Sequence, residues 1–325
     1  MQCIAELIFE FIRAIELLLV YPVAEILSNE SVFVATNLLI AIVFLYYKKR
    51  KQNRRVNWKT LKGAFLSTRI WWSQSSRIDY VSLIVNSFCL ASAALLIDRY
   101  LSGGAINDSL FVSAWLESLV GPSEINVSPQ TSVVMTTVIA FVVFDFFNYW
   151  YHRILHQYPY LWRIHSRHHS ATNLTPFTNF RAHPLEAIFR LPVTYFASML
   201  VAGLCSYSLG QDASEMLILG TNLFAFSVLL LGGTLVHSHI FLRFPRWLSY
   251  LIVSPAMHQV HHSCKPAHRN KNYGSNLAIW DWMFGTLYLP DSAEPVLFGL
   301  SQHNRTQQST HAFFFGNNMN KQEER

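Results

Sequence analysis

The sequence predicts an all-α integral membrane protein with about four to five transmembrane helices and a histidine-rich cap on the cytosolic side. Three observations predict this class. Of the 325 residues, 51% are apolar and only 14% are charged, against about 25% charged residues in an average soluble domain. The apolar residues form long runs with basic residues beside them. All fourteen histidines lie at or after position 152.

Five apolar runs are predicted to cross the membrane, at residues 31–47, 80–97, 131–151, 191–209 and 215–236. Each is close to the roughly 20 residues that cross a bilayer core. The turn-like Gly210-Gln211-Asp212 separates the last two runs, so one re-entrant hairpin is an alternative to two spans. Residues 98–130 contain several glycines and prolines and are predicted to be loop, with one short amphipathic helix at 109–120.

Basic residues give the predicted orientation. Lys48-Lys49-Arg50-Lys51 directly follows the first apolar run. Such a block marks the cytoplasmic side of a membrane protein. Counting spans from this point places every histidine on the cytoplasmic side. The same clustering beside apolar runs argues against nucleic-acid binding, despite the net charge of +6.

Three segments are predicted along the chain. In residues 1–30, Glu6, Glu10 and Arg13 are spaced to share one face of an amphipathic interfacial helix. Residues 31–290 form the membrane-embedded domain. Residues 291–325 are rich in Gln and Asn and form a polar tail. The four cysteines are scattered without C-x-x-C pairs, which favours neither a disulfide framework nor a cysteine metal site.

Three histidine clusters predict a metal centre. They read H-R-I-L-H at 152–156, H-S-R-H-H at 165–169 and H-Q-V-H-H at 258–262. Histidines three or four residues apart share a helix face and can bind one ion. Eight imidazoles are too many for one ion, so two ions are predicted. A nitrogen-rich set suits iron, with zinc and copper left open. The eight candidate ligands are His152, His156, His165, His168, His169, His258, His261 and His262.

Two further histidines are candidate ligands. His183 lies between the clusters, and His237 lies at the end of the fifth run. On the third run, Asp145 and Tyr149 share a helix face with the first cluster. A carboxylate or phenol beside a ligating imidazole can accept its other N–H and select the tautomer. Both are therefore candidate supporting residues, although Asp145 could instead pair with a nearby Arg or Lys.

These motifs resemble the fatty acid hydroxylase/sterol desaturase superfamily of membrane di-iron enzymes, and most closely its bacterial sterol desaturase-like branch. The resemblance covers about residues 60–290. It rests on the order H-x-x-x-H, H-x-x-H-H, H-x-x-H-H. Supporting matches are the stretches Ala182-His183-Pro184-Leu185-Glu186, His237-Ser238, Asn272-Tyr273-Gly274 and Trp280-Asp281 with Phe284-Gly285-Thr286.

The resemblance implies a bacterial inner-membrane enzyme with two iron ions, dioxygen as co-substrate and an external electron donor such as a ferredoxin, cytochrome or reductase. It implies hydroxylation of a C–H bond in a lipid, whether fatty acyl, sterol-like or aminolipid. Desaturation at the same site is an alternative. A metal-binding membrane protein without oxidation chemistry is a second alternative, although transport would require more ionisable residues within the spans than Asp145.

Overall fold

The computed structural model describes residues 36–47, 49–50, 57–101, 104–123, 125, 127–209, 217–218, 221–230, 233–291 and 296–300. The predicted interfacial helix at 1–30, Lys48 and Lys51 of the basic block, and residues 301–325 of the predicted tail lie outside this part of the chain. The predicted boundaries of the three segments therefore stay predictions.

The described chain is mainly helical. Its α-helices are α1 (Thr36–Tyr47), α2 (Trp58–Phe65), α3 (Thr68–Trp71), α4 (Gln74–Leu101), α5 (Gly104–Val120), α6 (Pro129–Gln157), α7 (Pro159–His169), α8 (Pro184–Leu209), α9 (Leu223–Leu230), α10 (Arg246–Ser249), α11 (Pro255–His261) and α12 (Ile279–Met283). Short 3₁₀ turns cover Pro176–Phe180, Gly233–Leu235 and Pro266–His268. Two strands, β1 (Leu217–Ile218) and β2 (Thr221–Asn222), form one antiparallel pair.

Among the described helices, α6 and α8 are long and apolar enough to cross a membrane. They contain the predicted third and fourth spans. Buried Ala140 of α6 packs against Val201 and Cys205 of α8, and these small side chains allow the two helices to approach closely. The histidines at the end of α6 are thus carried by one candidate membrane helix, against which a second one packs.

Helix α4 contains the predicted second span but buries a polar face. Asp79 and Asn86 are among its buried residues. The Nδ2 group of Asn86 donates to the carbonyls of Phe180 and Ala182, at 2.8 and 2.9 Å. The polar face of α4 therefore packs against the segment that joins α7 to α8.

The predicted fifth span is not a single helix in its described residues. The strands β1 and β2 are followed by the eight-residue α9 and a 3₁₀ turn. An eight-residue helix is about 12 Å long and cannot cross a bilayer core of about 30 Å. The side chain of Asn222 donates to the carbonyl of Thr137, at 2.9 Å, in α6. Gly220, Asn222 and Gly232-Gly233 interrupt this run in the sequence, and such residues end helices readily.

Residues 98–130 are more helical than predicted. Helix α4 continues to Leu101, and α5 begins at Gly104 rather than near residue 109. Helix α5 packs along α8. The helix α5 therefore occupies most of the stretch that was predicted to be loop. Tertiary packing against α8 overrides the weak helix propensity of this stretch.

Candidate metal centre

Four parts of the fold deliver the clustered histidines. Helix α6 ends with the first cluster, and Tyr158-Pro159 then starts α7, which carries the second cluster. The third cluster lies on α11. There the side chain of Ser254 accepts the N–H of Met257 at the helix start, which satisfies one of the donors that a helix terminus leaves free. His237 follows the 3₁₀ turn after α9.

Nine histidines converge in two groups. Within each group the candidate ligand nitrogens lie within 4.8 Å of one another. Two imidazole nitrogens on opposite sides of one ion are about 4.2 Å apart, so each group fits a single ion. One group contains His152, His156, His165, His169 and His261, and the other contains His168, His237, His258 and His262.

The nitrogen geometry around His237 suits a cation. Its Nε2 atom lies 3.1, 3.1 and 2.9 Å from the Nε2 atoms of His168, His262 and His258. One imidazole nitrogen has either a single proton or a single lone pair. Three neighbours at this distance cannot all be hydrogen bonded to it, whereas four lone pairs facing a shared cation are satisfied together.

Outward hydrogen bonds select the tautomer at two positions. The Nδ1 atom of His152 lies 2.8 Å from the carbonyl of Tyr273, and that of His261 lies 2.9 Å from the carbonyl of Lys271. A carbonyl can only accept, so both Nδ1 atoms must donate. The lone pair of each ring is then on Nε2. In the described part of the chain the buried Nε2 atoms of His156 and His261 have no hydrogen-bond partner, as expected of atoms that bind a metal.

The carboxylate of Glu186 orients a third ring. Both of its oxygens lie 3.2 Å from Nδ1 of His165. No local sequence pattern indicates this pair, because Glu186 lies on α8, 21 residues after His165. A carboxylate behind a ligating imidazole fixes its orientation and raises its basicity.

The variant Glu186→Gln is expected to lower metal affinity by about 10- to 100-fold, because the amide oxygen is a weaker acceptor than the carboxylate. Competition with a chromogenic chelator measures the change. Glu117→Gln removes one exposed carboxylate from α5 and serves as the matched control. Equal affinities for the two variants would show that Glu186 does not support the site.

Burial keeps six of the histidines outside the spans uncharged. Burial, together with the neighbouring His152 and His165, lowers the pKa of His258 to about 3. Burial likewise holds the pKa of five others well below the usual value; they are His168, His169, His237, His261 and His262. Neutral imidazole is the form that binds metal. The site therefore holds its nitrogens ready for an ion at neutral pH.

This lowered pKa predicts how pH affects stability. Unfolded histidine, with a pKa of about 6.5, takes up protons that folded His258 excludes, so stability falls as pH drops from about 6.5 toward 3. Between pH 7.0 and 5.5, His258 alone is expected to lower the free energy of unfolding of the metal-free protein by about 1 kcal/mol. Thermal melting of the wild type and His258→Asn at both pH values measures this difference. An unchanged pH slope in the variant would contradict the assignment.

Asp145 and Tyr149 have partners other than imidazoles. The carboxylate of Asp145 accepts from the backbone and side chain of Asn276, the backbone of Leu277 and the indole of Trp280, at 2.9 to 3.1 Å. The hydroxyl of Tyr149 lies 3.0 Å from Oγ1 of Thr286. The expectation that Asp145 accepts an imidazole N–H is therefore wrong. Both residues instead hold the segment 272–286 against α6.

This segment is fixed at a second buried carboxylate. Asp281 accepts the backbone N–H groups of Tyr273 and Gly274, both at 2.8 Å. A Cβ atom at Gly274 would lie 2.6 Å from the carbonyl oxygen of Leu277, so only glycine fits here. The carbonyl of Tyr273, which orients His152, is thereby held in place. Asp145 and Asp281 thus act on the metal centre through the backbone.

A buried ion pair fixes the connection between α7 and α8. Arg181 and Asp79 are 1% and 0% exposed in their side chains, with Nη1 and Oδ1 3.0 Å apart. Arg181 also donates to Ser170, and Thr178 donates to Asp79. The buried guanidinium of Arg181 therefore links this connection to α4, which carries Asp79.

His183 belongs to neither group of histidines. Its Nδ1 atom accepts the backbone N–H of Leu185, at 3.1 Å, where α8 begins. Of the two additional candidates, the structure therefore brings His237 to the centre and leaves His183 at a helix start.

Comparison with known proteins points to one enzyme family. The family model described as fatty acid hydroxylase matches residues 137–286, which include both groups of histidines and the segment that supports them. This central part of the chain is therefore similar to fatty acid hydroxylases, which are oxidoreductases.

Proteins similar to this chain are named for different substrates. An ornithine lipid hydroxylase of Rhizobium tropici is 28% identical over 172 residues, which are 53% of this chain and 47% of the relative. An alkylglycerol monooxygenase of Xenopus tropicalis is 28% identical, over 50% of this chain and 32% of the relative. A very-long-chain aldehyde decarbonylase of Oryza sativa is 31% identical, over 47% and 24%. The match thus spans half or less of each relative, and no solved structure matches significantly.

Proposed function

We propose that this protein is a membrane-bound di-iron monooxygenase that hydroxylates a C–H bond of a lipid, using dioxygen and electrons from an external donor. The observation that carries the proposal is the convergence of nine imidazoles, seven of them buried, in two groups. Imidazole suits iron, zinc and copper. The match to fatty acid hydroxylases favours a redox metal. The resemblance of the histidine motifs to those of membrane di-iron enzymes favours iron.

The residues of the chain have distinct tasks in this reaction. One group of five imidazoles and one of four would each hold an iron ion, and the pair would supply the activation of dioxygen. Overall, one oxygen atom enters the C–H bond and the other leaves as water, with two electrons and two protons from the donor. The carbonyls of Tyr273 and Lys271 and the carboxylate of Glu186 keep three imidazoles oriented.

The surroundings support a lipid substrate. Helices α6 and α8, which are apolar enough for a membrane, carry the site or abut it, and two relatives are named for lipid substrates. We propose a fatty acyl, sterol-like or aminolipid substrate, and a bacterial inner membrane with the histidines on the cytoplasmic side. The donor would be a ferredoxin, a cytochrome or a reductase.

Iron analysis and a single-turnover reaction test this proposal. The purified protein in nanodiscs is expected to bind two irons. After reduction with dithionite it should consume dioxygen and add one heavy oxygen atom from labelled dioxygen to a lipid of the source membrane. A product lacking two hydrogens would favour desaturation instead. Protein fully loaded with zinc and unable to consume dioxygen would favour the non-oxidative metal-binding role.

A further inference from the structure

A cavity of about 370 Å³ reaches the candidate metal centre. His156, His169, His261 and His262 line it, together with residues 263–266, 269–270 and 299–300. The histidines His169, His261 and His262 are buried, whereas Arg269 is exposed. The metal centre therefore lies at the inner end of the cavity and Arg269 at its mouth.

The cavity carries positive charge. Lys265 and Arg269 line it, and none of its described lining residues is Asp or Glu. Within the described part of the chain, neither Lys265 nor Arg269 forms an ion pair. Cations without a carboxylate partner beside a concave surface favour the binding of an anion from outside.

The segment that carries Arg269 is tied to the metal centre. Asn270 and Asn272 adopt left-handed backbone conformations, with φ of 58° and 56°, which asparagine tolerates better than most residues. The carbonyl of Lys271, between them, lies 2.9 Å from Nδ1 of His261. The side chain of Asn272 donates to the carbonyls of Met257 and Tyr288. An anion held by Arg269 would therefore have a defined position relative to the histidines.

We propose that this cavity binds the anionic head group of the lipid substrate, a phosphate or carboxylate, through Lys265 and Arg269. The head-group end of the lipid then lies beside the metal centre. This inference rests on the proposed function for its substrate, since it names the class of lipid. The volume is near the lower end of ligand cavities, about 300–1,000 Å³, which suits a head group rather than a whole lipid.

A protein partner fits this feature less well. Protein interfaces of standard size bury about 800 Å² on each side over a broad surface. The cations here instead line a concave cavity whose inner wall is formed by buried histidines. The test below therefore distinguishes binding of a lipid head group from docking of an acidic electron donor on this face.

Binding of a short-chain lipid tests the proposal without measuring turnover. Dihexanoyl phosphatidic acid is titrated into the metal-loaded protein by calorimetry, with dihexanoylglycerol and inorganic phosphate as comparison ligands. Lys265→Gln and Arg269→Gln are each expected to weaken phosphatidic acid binding by about tenfold, because each removes a charged hydrogen-bond donor. Arg163→Gln removes an exposed cation of α7 that does not line the cavity, and its affinity should stay within about twofold.

Cys264 reports where the lipid binds, because it lines the same cavity. In a variant with Cys3, Cys89 and Cys205 replaced by alanine, a neutral methanethiosulfonate modifies this thiol. Phosphatidic acid at saturation is expected to slow modification by about fivefold or more, since an occupied cavity blocks access. Dihexanoylglycerol should not protect it. Protection that persists in Lys265→Gln/Arg269→Gln would contradict a role for these cations.

The outcomes separate this inference from the proposed function. Unchanged phosphatidic acid affinity in both cation variants would overturn the inference, and so would phosphate binding as tight as the lipid. Loss of donor-dependent reduction with intact lipid binding would overturn it in favour of a docking site for the donor. Absence of iron or of oxygen consumption would overturn the proposed function, whereas charge-dependent lipid binding in the same preparation would leave the anion site standing.

Discussion

His237→Ala is expected to remove one of the two bound irons and to lower turnover by about a thousandfold, the effect of losing several kcal/mol of metal assistance. The group of four histidines would retain only three imidazoles. Its other members surround Nε2 of His237 at 2.9 to 3.1 Å, so the vacancy lies at the centre of the set. Iron per protein, measured by mass spectrometry, and single-turnover product formation test the expectation.

His183→Asn is the matched control for this substitution. It removes an imidazole from the same polar region but keeps a side chain that can cap α8, where His183 accepts the N–H of Leu185. Both irons and full turnover are expected to remain. Retention of two irons in His237→Ala, or loss of iron in His183→Asn, would show that the two groups of ligands are wrongly assigned.

Asp79→Asn is expected to destabilise the protein by about 3–5 kcal/mol, because it leaves the buried charge of Arg181 without its partner. The destabilised region joins α7, which carries three histidines, to α8, which carries Glu186. Iron affinity should therefore fall together with the melting temperature. Thermal melting in detergent and chelator competition measure the two effects.

The double variant Asp79→Leu/Arg181→Met separates charge from packing. It removes both charges and is expected to recover much of the loss, as replacing a buried pair by apolar side chains often does. Recovery should be incomplete, because Thr178 and Ser170 lose their partners. Arg163→Met alters an exposed arginine of α7 and should change stability by less than about 0.5 kcal/mol. A melting temperature of Asp79→Asn equal to that of the wild type would contradict the role of the pair.

Local sequence patterns were enough to predict the clustered histidines and the two long apolar helices α6 and α8. The ligand spacing within each cluster repeats at three and four residues, which is a property of a single helix. The long apolar runs in α6 and α8 likewise reflect composition over one segment. The predicted fifth span failed because an apolar run interrupted by glycine and asparagine can fold as short pieces, and only packing against α6 decides between these forms.

Tertiary structure alone divided the histidines into a group of five and a group of four. His168 and His169 are adjacent in sequence yet belong to different groups, because neighbouring residues on a helix point about 100° apart. Contacts between distant segments likewise link His165 to Glu186 and Asp79 to Arg181. The sequence by itself determined which residue types gather at this centre. Their grouping and tautomers depend on how the helices pack, because each supporting partner comes from another element of the fold.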